Sequence, residues 1–219
     1  MKRTRYVAAA AVMAVGLFAM GATRVHAQGI GLLSAETSEA RELEWLNISA
    51  GAVIGEDRDF YGGRSTFWIV PEVRSFVDLG FVSLRDREVP SSTDIGAQAG
   101  LIYALPTVLP FDNSIRGAVY GATGDRHNIV GTTLAWMSSY QPTKGGVAYY
   151  GGLGLGAEWH NRHALTMSED GVDLPEDTDS TVYPLVDVGA MMPVVEHISL
   201  FVEWAYTDTW WVGVGVRVR

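Results

Sequence analysis

The stretch His197–Arg219, HISLFVEWAYTDTWWVGVGVRVR, is written in period 2. Ile198, Leu200, Val202, Trp204 and Tyr206 alternate with Ser199, Phe201, Glu203 and Ala205. After Thr207-Asp208-Thr209 the pattern restarts. Trp210, Val212, Val214, Val216 and Val218 then share one face, and Trp211, Gly213, Gly215, Arg217 and Arg219 the other. Successive side chains of a strand point to opposite faces, so each run is a strand with one apolar face and one small or polar face. Two such runs joined by a short polar link make an antiparallel hairpin. The second face, made of Gly, Ser, Ala and isolated charges, fits the crowded polar interior of a narrow barrel whose aliphatic face is turned to lipid. Taken alone, the hairpin also fits a soluble β-sandwich.

The same alternation runs back through the chain. Leu46 to Ile54 forms a first strand, followed by a polar loop from Glu56 to Arg64. Residues 66–84 hold one unbroken phase, with Phe67, Ile69, Leu79 and Phe81 on one face and Trp68, Arg74, Phe76 and Asp78 on the other. One strand of that length would span about 60 Å, far beyond the ~9–11 residues that cross a membrane. The run is therefore divided near Arg74-Ser75 into two strands. Further strands are expected at Ile95–Tyr103, Ile115–Tyr120, Val130–Trp136, Val147–His160 and Val182–Ala190, ahead of the final hairpin. An acidic loop without periodicity, Asn161 to Thr181, precedes the strand at Val182. The count is ten strands, an even number as a barrel with both ends on one side requires; eight is the alternative. In Val147–His160 the glycines 152, 154 and 156 leave one face bare, and large rings from across the lumen are expected to fill it.

The N-terminus carries an export address. Lys2, Arg3 and Arg5 precede an apolar run from Tyr6 to Met20, and Val25-His26-Ala27 has the small-x-small form of a cleavage site. The expected organisation is a signal peptide over 1–27, an irregular leader over 28–42 and a barrel over 43–219. Without residues 1–27 the chain holds 12 basic residues against 25 acidic, a formal charge of −13. So acidic a surface argues against nucleic acid as a partner. There is no Cys, which excludes both a disulfide scaffold and a lipid-modified N-terminal thiol.

Three stretches carry a likeness to known proteins: Ser65 to Asp86 with VDLGFVSL, Tyr149 to Trp159 with YYGGLGLGAEW, and Leu200 to Val216 with LFVEWAYTD and VGVGVRV. Over residues 43–219 the chain resembles the small outer-membrane β-barrel proteins of the outer membrane protein A-like and opacity-protein type. The resemblance is one of fold, with no signature tied to one activity. It implies an all-β, antiparallel, up-and-down transmembrane barrel in the outer membrane of a Gram-negative-type envelope. The chain departs from the pattern in ending on Val218-Arg219 where such barrels finish on an aromatic residue.

The inward phase holds Glu72, Arg74, Asp78, Gln98, Arg116, Glu158, Asp187, Glu203 and Arg217. Charges inside a narrow barrel are sustained only when paired and hydrogen-bonded, so these residues are expected to form a polar network that plugs the lumen. A gated small pore is the other use of such a set. Tyr103, Trp136, Tyr149, Trp159, Trp204, Tyr206 and Trp210 fall on the apolar face near strand ends, where a membrane barrel carries its interfacial girdles.

His160, His163 and Glu158 could hold a metal, and His160 with Ser168 could cleave a lipid ester, but no G-x-S-x-G or H-E-x-x-H motif supports either. The expectation is a monomeric barrel in outer-membrane lipid with no cofactor, no metal and no catalysis. Its acidic outer loops would be open to a surface ligand. A lipid-modifying enzyme and a soluble periplasmic barrel for an apolar ligand are the alternatives.

Overall fold

The computed structural model describes residues 31–32, 45–85, 92–106, 110–124, 127–143, 145–163, 165–167, 172–174 and 177–218. The expected signal peptide and its cleavage site lie outside them. The strands are β1 (Leu46–Gly55), β2 (Arg58–Val70), β3 (Val73–Leu84), β4 (Ser92–Ala104), β5 (Asp112–Thr123), β6 (His127–Tyr140), β7 (Ala148–Arg162), β8 (Leu165–Met167), β9 (Val172–Leu174), β10 (Asp177–Val195), β11 (Ile198–Tyr206) and β12 (Trp210–Val218). β8 and β9 form a small separate hairpin. The other ten close into one barrel in which each pairs antiparallel with its neighbours. The ring is sealed by β1 and β12, which run in register from Ile48 opposite Val218 to Gly55 opposite Trp211. Closure leaves no unpaired edge, the condition for a sheet to sit in hydrocarbon.

The period-2 pattern is inverted relative to a soluble protein. Val182 is 75% exposed, Ile95 64% and Leu134 62%, whereas Arg64 and Asp78 are at most 1% exposed. An apolar band continuous around the molecule has no place in water, so the barrel faces lipid with its aliphatic side.

The girdle residues separate into two belts. Trp159, Trp204, Tyr206 and Trp210 lie toward the end that carries the β11–β12 turn, here the far end. Tyr103, Trp136 and Tyr149 lie toward the near end, where β1 begins and β12 finishes. Tyr149 and Trp159 stand ten residues apart on β7, both outward, with Leu153 and Leu155 between them. At ~3.4 Å per residue and a tilt of ~40° that spacing is ~26 Å of height, matching an apolar band of ~25 Å.

Three expectations are corrected. The turn between β2 and β3 is Pro71-Glu72, not Arg74-Ser75. Proline has no N–H to continue the ladder, and the register shifts between Trp68 and Val70 just before it. The residues read as a loop from Glu56 to Arg64 are mostly strand, because Gly62 and Gly63 pair on both sides instead of turning. The long loop from Asn161 is also shorter than expected, since Asp177 already pairs with Arg162 and the ladder continues through Thr181 opposite Glu158.

Candidate functional site

The inward faces converge in clusters at different heights of the lumen. Near mid-height, Arg64 of β2 grips Asp78 of β3 with both arms of its fork, Nε to Oδ1 at 2.6 Å and Nη2 to Oδ2 at 2.8 Å. Gln98 of β4 accepts from Arg64 at 3.4 Å and from Arg116 of β5 at 3.1 Å. The Phe76 ring takes both guanidinium groups, with Arg64 at 4.3 Å and Arg116 at 4.8 Å from its centroid. Planar cations stacked on a ring and forked to a carboxylate are the arrangement in which buried arginine charge is best satisfied.

Toward the far end the lumen is bridged from wall to wall. Arg58 of β2 donates to both oxygens of Glu158 on β7, at 3.0 and 2.7 Å. In the ring of ten, β2 and β7 are five places apart, so this pair crosses the full bore. The Tyr120 hydroxyl donates to Glu158 at 2.9 Å and lies 2.8 Å from the hydroxyl of Tyr183. Four side chains from four strands, Glu158 among them, thus form one hydrogen-bonded cluster.

The remaining inward residues are distributed along the wall. Tyr150 donates to Glu203 at 3.3 Å. Arg74 lies over the Trp68 ring at 5.2 Å, and an Arg217 guanidinium nitrogen approaches the Met191 sulfur at 3.9 Å. Asp187 is buried opposite Gly152. Of the nine residues expected in the lumen, Glu72 alone is misplaced: it sits in the β2–β3 turn and is exposed. The phase of residues 66–84 holds except at Val70 and Glu72, where the register shift and the turn put the side chains outside.

The aromatic rings sit on glycines, though not on those across the lumen. Phe76 lies opposite Gly100, Tyr120 opposite Gly131, Tyr183 opposite Gly156, Tyr150 opposite Gly189 and Phe201 opposite Gly215, each on the hydrogen-bonded neighbouring strand. A Cβ on any of these five glycines would come within 2.2 to 2.5 Å of the ring. Each ring therefore folds flat onto the wall beside it. Glycine in a strand is otherwise a cost, and here it makes the close approach possible.

His127, His160 and His163 occupy the far end. His127 Nδ1 and His160 Nε2 face each other at 2.8 Å, and His163 Nε2 lies 2.9 Å from the Asn128 amide. Ser168, the other half of the ester-cleaving arrangement, lies outside the described residues, as do Glu169, Asp170 and Glu176 of the acidic run that follows. Among the described residues no group of three His, Cys, Asp or Glu side chains is placed to hold a metal. On the lipid side, a shallow groove around Gly151 is lined by Phe111, Trp136, Tyr140 and Tyr149.

Two of the central cations were missed in the sequence. Arg58 and Arg64 fell in the stretch read as loop, although the inward phase of Trp68 and Thr66 extends back through Arg64, Gly62, Phe60 and Arg58 without a break. Leu32 was also missed. It belongs to the expected leader, yet it is fully buried in the lumen and donates its N–H to Asp78 Oδ2 at 2.9 Å.

No protein-family model matches the chain, and no curated protein does. Solved structures similar in fold include a KdgM porin, with 13% identity over 79% of this chain and 98% of the other and a TM-score of 0.42. The translocator domain of the autotransporter NalP from Neisseria meningitidis has 13% identity over 81% and 89%, with a TM-score of 0.45. The outer membrane protease OmpT from Escherichia coli has 9% identity over 82% and 99%, also with a TM-score of 0.45. At TM-scores below 0.5 these likenesses carry no statement about activity; the closed ten-stranded barrel is read from the strand pairing itself.

Proposed function

We propose that this chain is a non-conducting, non-catalytic barrel of a Gram-negative-type outer membrane. It stands as a monomer in lipid, has its lumen closed by its own side chains, and offers acidic far-end loops to a surface ligand. The observation that carries this reading is the Arg58–Glu158 pair, which joins opposite walls and draws Tyr120 into the same cluster. A solute passing that level would have to separate two desolvated, mutually hydrogen-bonded charges, at a cost of several kcal/mol. Small barrels are mostly filled by their own side chains in the same way. What such a rigid scaffold leaves free is its loops, where binding usually resides.

The test is planar-bilayer recording on the refolded protein, with a lipid-hydrolysis assay beside it. The expected results are no stable conductance above background and no turnover. A steady conductance would overturn the closed lumen. Turnover abolished by His160→Ala would put the lipid-modifying enzyme in its place.

A further inference from the structure

Asp78, Gln98 and Arg64 do more than satisfy one another: part of this chain's own main chain lies on them. We propose that they form a lumenal binding site for a peptide backbone, and that its occupant is the chain's own segment at Gly31-Leu32. The proposal rests on the reading of the barrel as closed and adds a second closing element to it.

Four observations support the assignment. The Leu32 N–H donates to Asp78 Oδ2, an oxygen already fixed by Arg64, so the acceptor is held in place before the segment arrives. The Leu32 side chain is fully buried and belongs to the same apolar cluster as Phe60, Val82, Tyr120 and Phe201. Gly31 has φ +115°, a conformation side chains rarely adopt. A Cβ there would also meet Asp78 Oδ2, Gln98 Oε1 and Gln98 Cβ at 3.1 Å or less. The backbone therefore lies directly on the wall, and glycine is the residue that permits it.

The sequence fits the site. From Gln28 to Ala35 it reads QGIGLLSA and carries no charge. A charged segment would bring an ion into a lumen whose central carboxylates and guanidinium groups are already paired, and would need a new partner there. The ligand class recognised is thus an uncharged glycine-aliphatic segment that supplies one N–H donor to a carboxylate. Main-chain hydrogen bonding with a pocket for the adjacent side chain is a general mode of peptide capture. Twelve residues separate Leu32 from Trp45 at the near end, where Trp45 is tied by its carbonyl to the Trp68 N–H. At up to ~3.3 Å per residue that length easily reaches mid-height from the near end.

The chain has no cysteine, so Leu32→Cys gives a single thiol. Its labelling by a maleimide joined to a polyethylene glycol too bulky for the bore is compared in detergent micelles with Glu72→Cys in the exposed turn. Folding of both is checked by heat modifiability on a gel. The Leu32→Cys thiol is expected to react at least about a hundredfold more slowly than the control, and at the control rate once unfolded in urea. Adding Gly31→Val to the same chain should expel the segment and bring labelling to the control rate in a barrel that still shifts on heating. Equal labelling of the two single variants would overturn the proposal, as would continued protection in the Gly31→Val chain. If Gly31→Val does not fold, amide exchange of Leu32 in the unaltered protein decides: slow exchange supports the site and exchange at the free-peptide rate overturns it. These readouts are independent of conductance, so a barrel that conducts with Leu32 protected, or stays silent with Leu32 exposed, shows which of the two readings has failed.

Discussion

The Arg58 guanidinium and the Glu158 carboxylate meet in a two-pronged pair although their strands stand on opposite sides of a ten-stranded ring and the residues are 100 apart in sequence. Both side chains are almost wholly buried. The pair therefore acts as a strut that links two halves of the wall which the ladder joins only the long way round. Its Coulombic gain is opposed by the desolvation of both ions, so its net stabilisation is small while its removal by halves is costly.

That asymmetry gives the first prediction. Arg58→Ala leaves Glu158 buried beside Tyr120 with no cation and should cost about 3–5 kcal/mol. The double variant Arg58→Met, Glu158→Leu removes both charges at similar volume and should cost clearly less than the single. Urea unfolding of the refolded barrel in lipid vesicles, followed by tryptophan fluorescence, measures both. A double variant less stable than Arg58→Ala would mean that the pair is strongly net stabilising.

The ring-on-glycine pairs predict a specific coupling. A Cβ at Gly156 would come 2.2 Å from the Tyr183 ring, so Gly156→Ala should destabilise by about 1–3 kcal/mol through overpacking. With Tyr183→Ala in the same chain the added methyl has room, and most of that cost should vanish. A double-mutant cycle is expected to give a coupling of at least about 1 kcal/mol. Additive effects would show that the ring moves aside freely.

The fold was legible because lipid reads the same period-2 code as a core does, with the faces exchanged. The glycine face behind Val212, Val214 and Val216 carried that information, and so did the inward phase from Arg74 to Val82. Turns were less legible. Pro71 broke the ladder where no Gly or Asn marked a turn, while Gly62-Gly63 looked like a turn and is strand. Partners across the lumen were not legible at all, since which inward residue meets which depends on the stagger at which β1 meets β12. Thus Glu158 could be placed inside, but its partner Arg58 could not be named. Leu32 escaped for another reason: a single uncharged stretch laid inside a barrel has no period of its own.

Arg64 is held by geometry that lysine cannot copy. Its fork reaches both Asp78 oxygens while its central carbon lies over the Phe76 ring, 4.3 Å from the centroid. An ammonium group keeps the charge but gives up the second parallel bond and the planar stacking. Arg64→Lys should therefore cost about 1.5–3 kcal/mol despite conserving charge, the usual range for a hydrogen bond to a charged group. Unfolding in vesicles gives the value, and an effect within error of zero would show that charge alone is what Asp78 requires.

The last prediction concerns the depth of the lipid face. Val214 lies outward near the middle of β12, between Trp210 at the far belt and Val218 at the near rim, and it pairs with Ala52 and Val202. Val195 is likewise outward and apolar, but it sits at the near end beside the β10–β11 turn. Neither valine holds the barrel together by packing, so the two sites differ mainly in depth. An arginine at the bilayer midplane of such barrels costs about 2–4 kcal/mol, and one near an interface about 0–1 kcal/mol, because there its long stem lets the charge reach water. Val214→Arg should accordingly destabilise the refolded protein by about 2–4 kcal/mol and Val195→Arg by no more than about 1 kcal/mol. The same two variants refolded in detergent micelles, whose headgroups and water lie closer to every site, should differ from each other by less. If Val214→Arg and Val195→Arg are equally tolerated in vesicles, the apolar face does not lie in a bilayer, and a soluble barrel would be the better reading of the same alternation.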